Sequence, residues 1–380
     1  MKIGMIAGEY PPMPGGVGAF SRILAETMQA QGHDVHVLSR DGTDSDTLPI
    51  STIRTWGMGS ITPIQEWVQK HQFDVINLQF QTAAYDMSPF VHFLPQIIHT
   101  PIVTTFHDLR FPYLFPKAGK LRNWIVMHLA RKSAGVITTN HEDAQQLDHL
   151  PHHQLIPIGS NILSDIPSDY DRTVWRKKVG ANDDSFLMGH FGFIKDIKGI
   201  DYLLDAMAKI CDQKVSLKLV FIGGRSNTVD AGSDDPYLTR LDRRIKQLGL
   251  EPHIHWTGFV EEAEVASYLK ALDLVALPFL DGASYRRGSL MAAIQYGCAI
   301  MTTQPQVKIP TFKHGENVWF VPTHSASQIE AGILHLLEHP LHLEELRQGA
   351  LELRHHFDWD VIARDTVAFL NQPRASTQKL

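Results

Sequence analysis

The sequence predicts an α/β protein made of two consecutive doubly wound units, each a mainly parallel sheet covered by helices. Three observations carry this. Short β-branched or apolar runs alternate with longer amphipathic stretches from end to end, and strands that alternate with helices imply crossover connections. The alternation breaks once, over residues 160–184, where Asn161, Ser164, Pro167, Ser168, Asp169 and Asp171 fall with little periodicity. The chain has 380 residues, enough for two domains at roughly 100–200 residues each.

In the first half, strands are predicted at 3–7, 34–38, 52–55, 75–78, 102–105, 136–139 and 155–158, with helical patterns at 17–31, 63–70 and 121–132. After the break come strands at 186–191, 218–222, 254–257, 274–277 and 299–302, with helices at 200–211, 237–248, 261–271 and 289–296. The stretch 325–370 carries Leu, Ile and Val at helical spacing, and the residues from Gln372 onward read as a frayed tail. The expected division is a first domain over 1–165 and a second over 166–356. A closing helix from 357 to the tail packs back on the first domain. Tandem units of this kind place a ligand crevice at their strand carboxyl ends, between the two halves.

Composition narrows the function. A net charge of −6 argues against a general grip on nucleic acid, which needs a basic footprint. The two cysteines, Cys211 and Cys298, lie far apart and form no disulfide framework, which fits a reducing compartment. The first residues read as a buried strand rather than a signal peptide. No apolar run approaches the ~20 residues that span a bilayer. The expectation is a cytoplasmic protein. Histidine is abundant, at 21 copies, but the adjacent pairs His152-His153 and His355-His356 do not converge on one face. The expectation is no metal.

Several strand ends carry residues suited to an anionic ligand. Gly15, Gly16 and Gly18 precede a helix, where backbone N–H groups can approach an anion and the helix dipole favours negative charge. The spacing G-G-x-G, with seven residues between Ala7 and Gly15, is not the tight G-x-G-x-x-G of a dinucleotide fingerprint. His107-Asp108 follows the strand at 102–105 directly, so the imidazole faces the crevice. Lys198 opens a helix in the second unit and can supply a point charge to a phosphate.

These pieces, in their order, resemble the GT4-type retaining glycosyltransferases, the glycosyl transferases group 1 family. The resemblance rests on Gly8-Glu9-Tyr10-Pro11-Pro12 with Gly15-Gly16-Val17-Gly18, Thr105-Phe106-His107-Asp108, and Lys198-Gly199. It extends through Phe221-Ile222-Gly223-Gly224, Thr257-Gly258-Phe259-Val260, residues 278–303 and Phe357-Asp358-Trp359. It implies the GT-B fold and transfer of a sugar from a nucleoside-diphosphate sugar to a hydroxyl acceptor, with retention and without metal. It also implies His107 and Asp108 near the transferred sugar, the glycine loop and Lys198 against the donor diphosphate, and Phe259 on the base side.

Two departures from the family matter. Phe193 stands where an arginine is expected, and Ser284 and Ala292 stand at the places of two glutamates that hold donor sugar and ribose in the family. In their place runs Asp281-Gly282-Ala283-Ser284-Tyr285-Arg286-Arg287-Gly288-Ser289, two arginines entering a helix start. Arg286 or Arg287 is expected to replace the missing arginine, since a guanidinium grips phosphate bidentately. The N–H groups of Gly288, Ser289 and Leu290 are expected to be free at the helix start. Asp281, with Ser284, is expected at a sugar or ribose hydroxyl. A catalytically degenerate binding or scaffold protein is the alternative reading. The run Phe111-Pro112-Tyr113-Leu114-Phe115-Pro116-Lys117, with Lys120, Arg122 and Trp124, reads as an acceptor or peripheral membrane surface at the inner face, or equally as aromatics packed under a loop.

Overall fold

A computed structural model describes residues 1–109, 119–224 and 235–372, with residues 119–122 described by backbone alone. Contacts divide the chain into two compact units, Met1–Asn161 with Phe357–Leu380, and Ile162–His356.

The first unit holds seven strands: β1 (Lys2–Ala7), β2 (Asp34–Arg40), β3 (Ile50–Ile53), β4 (Val75–Phe80), β5 (Ile102–Phe106), β6 (Gly135–Thr138) and β7 (His153–Leu155). All pair in parallel, in the order β3-β2-β1-β4-β5-β6-β7. Strand order reverses at β1, so the turns after β1 and β4 diverge and leave an open edge of backbone there. The period-two alternation sorts side chains cleanly. Ile3, Met5 and Ala7 join one apolar layer with Val75 and Val103, while Ile6, Ile76, Leu78 and Phe80 join the other. The helices Gly16–Ala30 and Trp359–Leu370 cover the first of these layers. Asp358 caps the second helix by accepting the Asp360 N–H at 2.8 Å, and the Trp359 indole N–H donates to the Ser160 carbonyl at 2.7 Å.

The second unit holds β8 (Phe186–Phe191), β9 (Leu217–Ile222), β10 (Ile254–Trp256), β11 (Leu274–Leu277), β12 (Ile300–Thr303) and β13 (Trp319–Val321). They are parallel, in the order β10-β9-β8-β11-β12-β13, with the reversal at β8. The architecture is GT-B: two Rossmann-like, all-parallel domains.

Several elements depart from the sequence expectation. β3 and β7 begin two residues before their predicted starts. Edge strands make a single ladder, so the neighbour sets their bounds more than their own pattern does. β13 was not among the predicted strands. The break at 160–184 contains a helix, Arg172–Lys178, started by the Asp171 carboxylate accepting the Thr173 N–H at 2.7 Å. Its Arg176 is 3% exposed and donates to Asp273 at 2.9 Å. No helix among the described residues is long and apolar enough to cross a membrane.

Candidate functional site

In the second unit the turns after β8 and β11 meet. The Leu280 N–H donates to the Ile197 carbonyl at 3.0 Å. Gly199, at φ 67°, lies so close that a Cβ there would sit 2.0 Å from the Pro278 carbonyl oxygen. Only glycine satisfies both the left-handed backbone and that approach. The junction brings Lys198 and Arg287 to one place, 5.0 Å and 4.6 Å from the centroid of the same Phe279 ring. Asp281 pairs with Arg287, and both side chains are largely buried. Two cations thus share one nearby carboxylate. Burial, then the Arg287 guanidinium, then Lys195 lower the Lys198 pKa to about 8, against the opposing pull of Asp281.

Arg287 also precedes the helix Gly288–Gln295. The N–H groups of Gly288 and Ser289 have no hydrogen-bond partner among the described residues. Leu290 corrects the sequence expectation: its N–H already donates to the Arg287 carbonyl at 2.8 Å, because the first turn tightens to i→i+3 bonding. The Ser289 hydroxyl is buried and unpartnered among the described residues. It faces Gly192, where an added Cβ would lie 3.8 Å from the Ser289 Cβ. Of the two arginines, Arg287 is the one placed beside Lys198, and Arg286 is half-buried next to it. Phe193 is 45% exposed and Phe259 81% exposed. Ser284 is 1% exposed.

Sequence reasoning missed His190, on β8. Its Nδ1 lies 3.0 Å from the Ala276 carbonyl, so Nδ1 carries the proton, and the buried Nε2 has no partner among the described residues. Burial and then the Lys198 charge lower its pKa to about 3. A polar residue on the inward face of a central strand was the available signal.

In the first unit, the turn after β1 carries its own anion. Glu9 Oε1 accepts the N–H groups of Val17 and Gly18, both at 3.2 Å. A Cβ on Gly15 would stand 2.2 Å from that carboxylate, whereas one on Gly16 meets nothing within 4 Å. Gly18 is buried. Glu9 therefore shapes the glycine turn, a role with no mark in the spacing. His107 follows β5. Its Nε2 lies 2.9 Å from Gln79 Oε1, and its ring meets Phe20 edge-on at 4.7 Å. Desolvation lowers its pKa to about 3, so the imidazole is neutral. Asp108 is half-buried. Residues 110–118, with most of the aromatic and basic run, lie outside the described residues. Beyond them Trp124 is 48% exposed and stacks on His128 at 5.1 Å.

With both strand-end sites in view, two family models match in tandem, glycosyltransferase family 4 over residues 14–159 and glycosyl transferases group 1 over residues 171–353. The chain belongs to these glycosyltransferases. It is 24% identical to a phosphatidyl-myo-inositol mannosyltransferase of Mycobacterium leprae over 96% of this chain and 94% of that one. Its fold matches HepE of Anabaena, solved with UDP, at a TM-score of 0.77, with 19% identity over 97% and 99% of the two chains. It also matches a sucrose-phosphate synthase of Thermosynechococcus elongatus at 0.75, with 20% identity over 97% of each chain.

Within this glycosyltransferase, the two positions where the resemblance expects glutamates are closed: Ser284 is 1% and Ala292 0% exposed. Histidines do gather at one place the sequence reading passed over. His335, His339 and His342 stack, with centroids 4.3 to 5.5 Å apart, and His335 Nε2 lies 2.8 Å from His342 Nδ1. That pair shares a proton rather than converging lone pairs. Among the described residues, no group of three or more His, Cys, Asp or Glu is arranged to hold a metal.

Proposed function

We propose that this glycosyltransferase moves a sugar from a nucleoside-diphosphate sugar to a hydroxyl acceptor, with retention. The crowding of Lys198 and Arg287 against one ring, with Asp281 beside them, carries the reading. Like charges held together in a partly desolvated site are stabilised by an anion between them. In this reading a diphosphate takes that place, with the Gly288 and Ser289 N–H groups and the Ser289 hydroxyl completing it. The same donors then stabilise the charge that develops on the departing diphosphate, and they need no reorganisation to do so. Two neighbours support it: the HepE structure contains UDP, and the M. leprae relative is a mannosyltransferase by name.

Arg287 takes the part of the absent family arginine, with Arg286 beside it. Asp281, paired with Arg287, serves a sugar or ribose hydroxyl together with Ser284. Phe259 lies on the base side. In the first domain His107 and Asp108 serve the transferred sugar, and Gly16 offers close backbone approach, flanked by Gly15 and Gly18. A thermal-shift series with UDP, GDP and ADP sugars tests this. At least one is expected to raise Tm, and turnover with it is expected to survive EDTA, because the positive charge is supplied by side chains. A series without any shift would defeat the reading.

For the acceptor side we propose contact with an anionic bilayer through residues 111–127, on the cytoplasmic face. The protein is expected to pellet with phosphatidylglycerol-rich liposomes and not with neutral ones. Equal recovery in both supernatants would remove the membrane contact and leave the transferase reading intact.

A further inference from the structure

A buried polar chain runs through an otherwise apolar layer of the first sheet. Asn77 and Gln79 on β4 are both 0% exposed, and Thr105 on β5 is 2% exposed. They share the layer with Val75 and Val103, and His107 extends the same row. Burying two amides in a central strand costs free energy unless every polar group is paired.

The pairing has one direction. Asn77 Nδ2 lies 3.2 Å from the Val103 carbonyl oxygen and 3.0 Å from Thr105 Oγ1. A backbone carbonyl only accepts, so Asn77 must present its NH2 group there. Its Oδ1 then accepts from Gln79 Nε2. That leaves Gln79 Oε1 facing His107 Nε2 at 2.9 Å. Turning either amide over would set oxygen against oxygen. The polarity is therefore anchored by the main chain at Val103 and transmitted through two side chains.

We propose that Asn77 and Gln79 are positioning residues that hold the His107 proton on Nε2 and present Nδ1 as a hydrogen-bond acceptor to a hydroxyl of the bound sugar. Which ring nitrogen carries the proton is set by the bond the other partner makes. Nδ1 has no partner among the described residues, and the ring is only partly covered. The neutral imidazole follows from its desolvation. A second role for the chain is rigidity: Phe20 edge-on and Gln79 end-on leave the ring one orientation. The inference rests on the transferase reading for the identity of the hydroxyl, but not for the tautomer.

The test uses the full chain labelled with 15N-histidine, with His107→Ala to assign the resonance. Long-range 1H–15N spectra are expected to show one tautomer, protonated on Nε2 with a bare Nδ1. Gln79→Met keeps the length and removes the acceptor. It is expected to mix the tautomers and to lower kcat about tenfold, with donor KM within about twofold. Gln79→Glu, whose protonated carboxyl donates and accepts as the amide does, is expected to restore both signature and rate. A proton on Nδ1 in the unaltered protein overturns the proposal, as does a Gln79→Met enzyme with unchanged kcat. If no donor is turned over at all, the transferase reading fails by itself, and the spectra still decide the tautomer.

Discussion

Replacing Arg287 with alanine is expected to lower kcat/KM for the donor by about 10²–10³-fold, the size seen when one preorganised donor to a developing charge is removed. The substitution does more than delete a cation. It takes the Arg287 guanidinium from the largely buried Asp281 and lowers the positive charge around Lys198 by one. Breaking a buried pair from one side also costs fold stability, and activity alone would confuse the two losses. The double variant Arg287→Ala with Asp281→Asn separates them: it removes the carboxylate as well and is expected to regain Tm while donor binding stays weak. Arg287→Lys keeps charge but not the planar fork and is expected to fall between. Donor affinity within twofold of the unaltered protein in Arg287→Ala would remove this residue from the site.

The second large effect is in pH. Lys198 has a pKa of about 8 because it is buried and faces Arg287 and Lys195. A diphosphate bound against it favours the ammonium form and raises that pKa. The sign follows from linkage. Below about 8 the free site is already protonated and affinity is flat. Above it the free site must take up a proton to bind, so donor Kd is expected to rise toward tenfold per pH unit. Isothermal titration from about pH 7 to about pH 9.5 reads this directly. Lys198→Arg, which does not titrate there, is expected to flatten the profile, and Lys198→Ala to weaken binding across it. A flat profile in the unaltered protein would mean that Lys198 is not at the anion.

The candidate site residues could be picked out from the sequence because they lie on turns that follow strands. His107 follows β5 directly, and Lys198 and the glycine turn lie in the turns after β8 and β1; strand ends in a doubly wound sheet carry ligands for a topological reason. Glu9, Asn77 and Gln79, which the sequence reading did not single out, act through another residue. Glu9 spends its carboxylate on the Val17 and Gly18 N–H groups, and Asn77 and Gln79 reach His107 through each other. The strand 75–80 did carry a signal, polar residues at alternate positions between apolar ones, but alternation by itself cannot say whether the polar row faces water or a buried partner.

The sequence by itself determined the two-unit α/β architecture and the alternation that builds both sheets. These are local properties: a strand's period of two and a helix's of 3.6 are written within a few residues. Tertiary structure alone decided that Arg287 rather than Arg286 stands beside Lys198, that Glu9 fills the turn after β1, and that Asn77 and Gln79 link the Val103 carbonyl to His107. Each depends on side chains brought together by neighbouring strands or turns, and such distances are set by packing, not by separation along the chain.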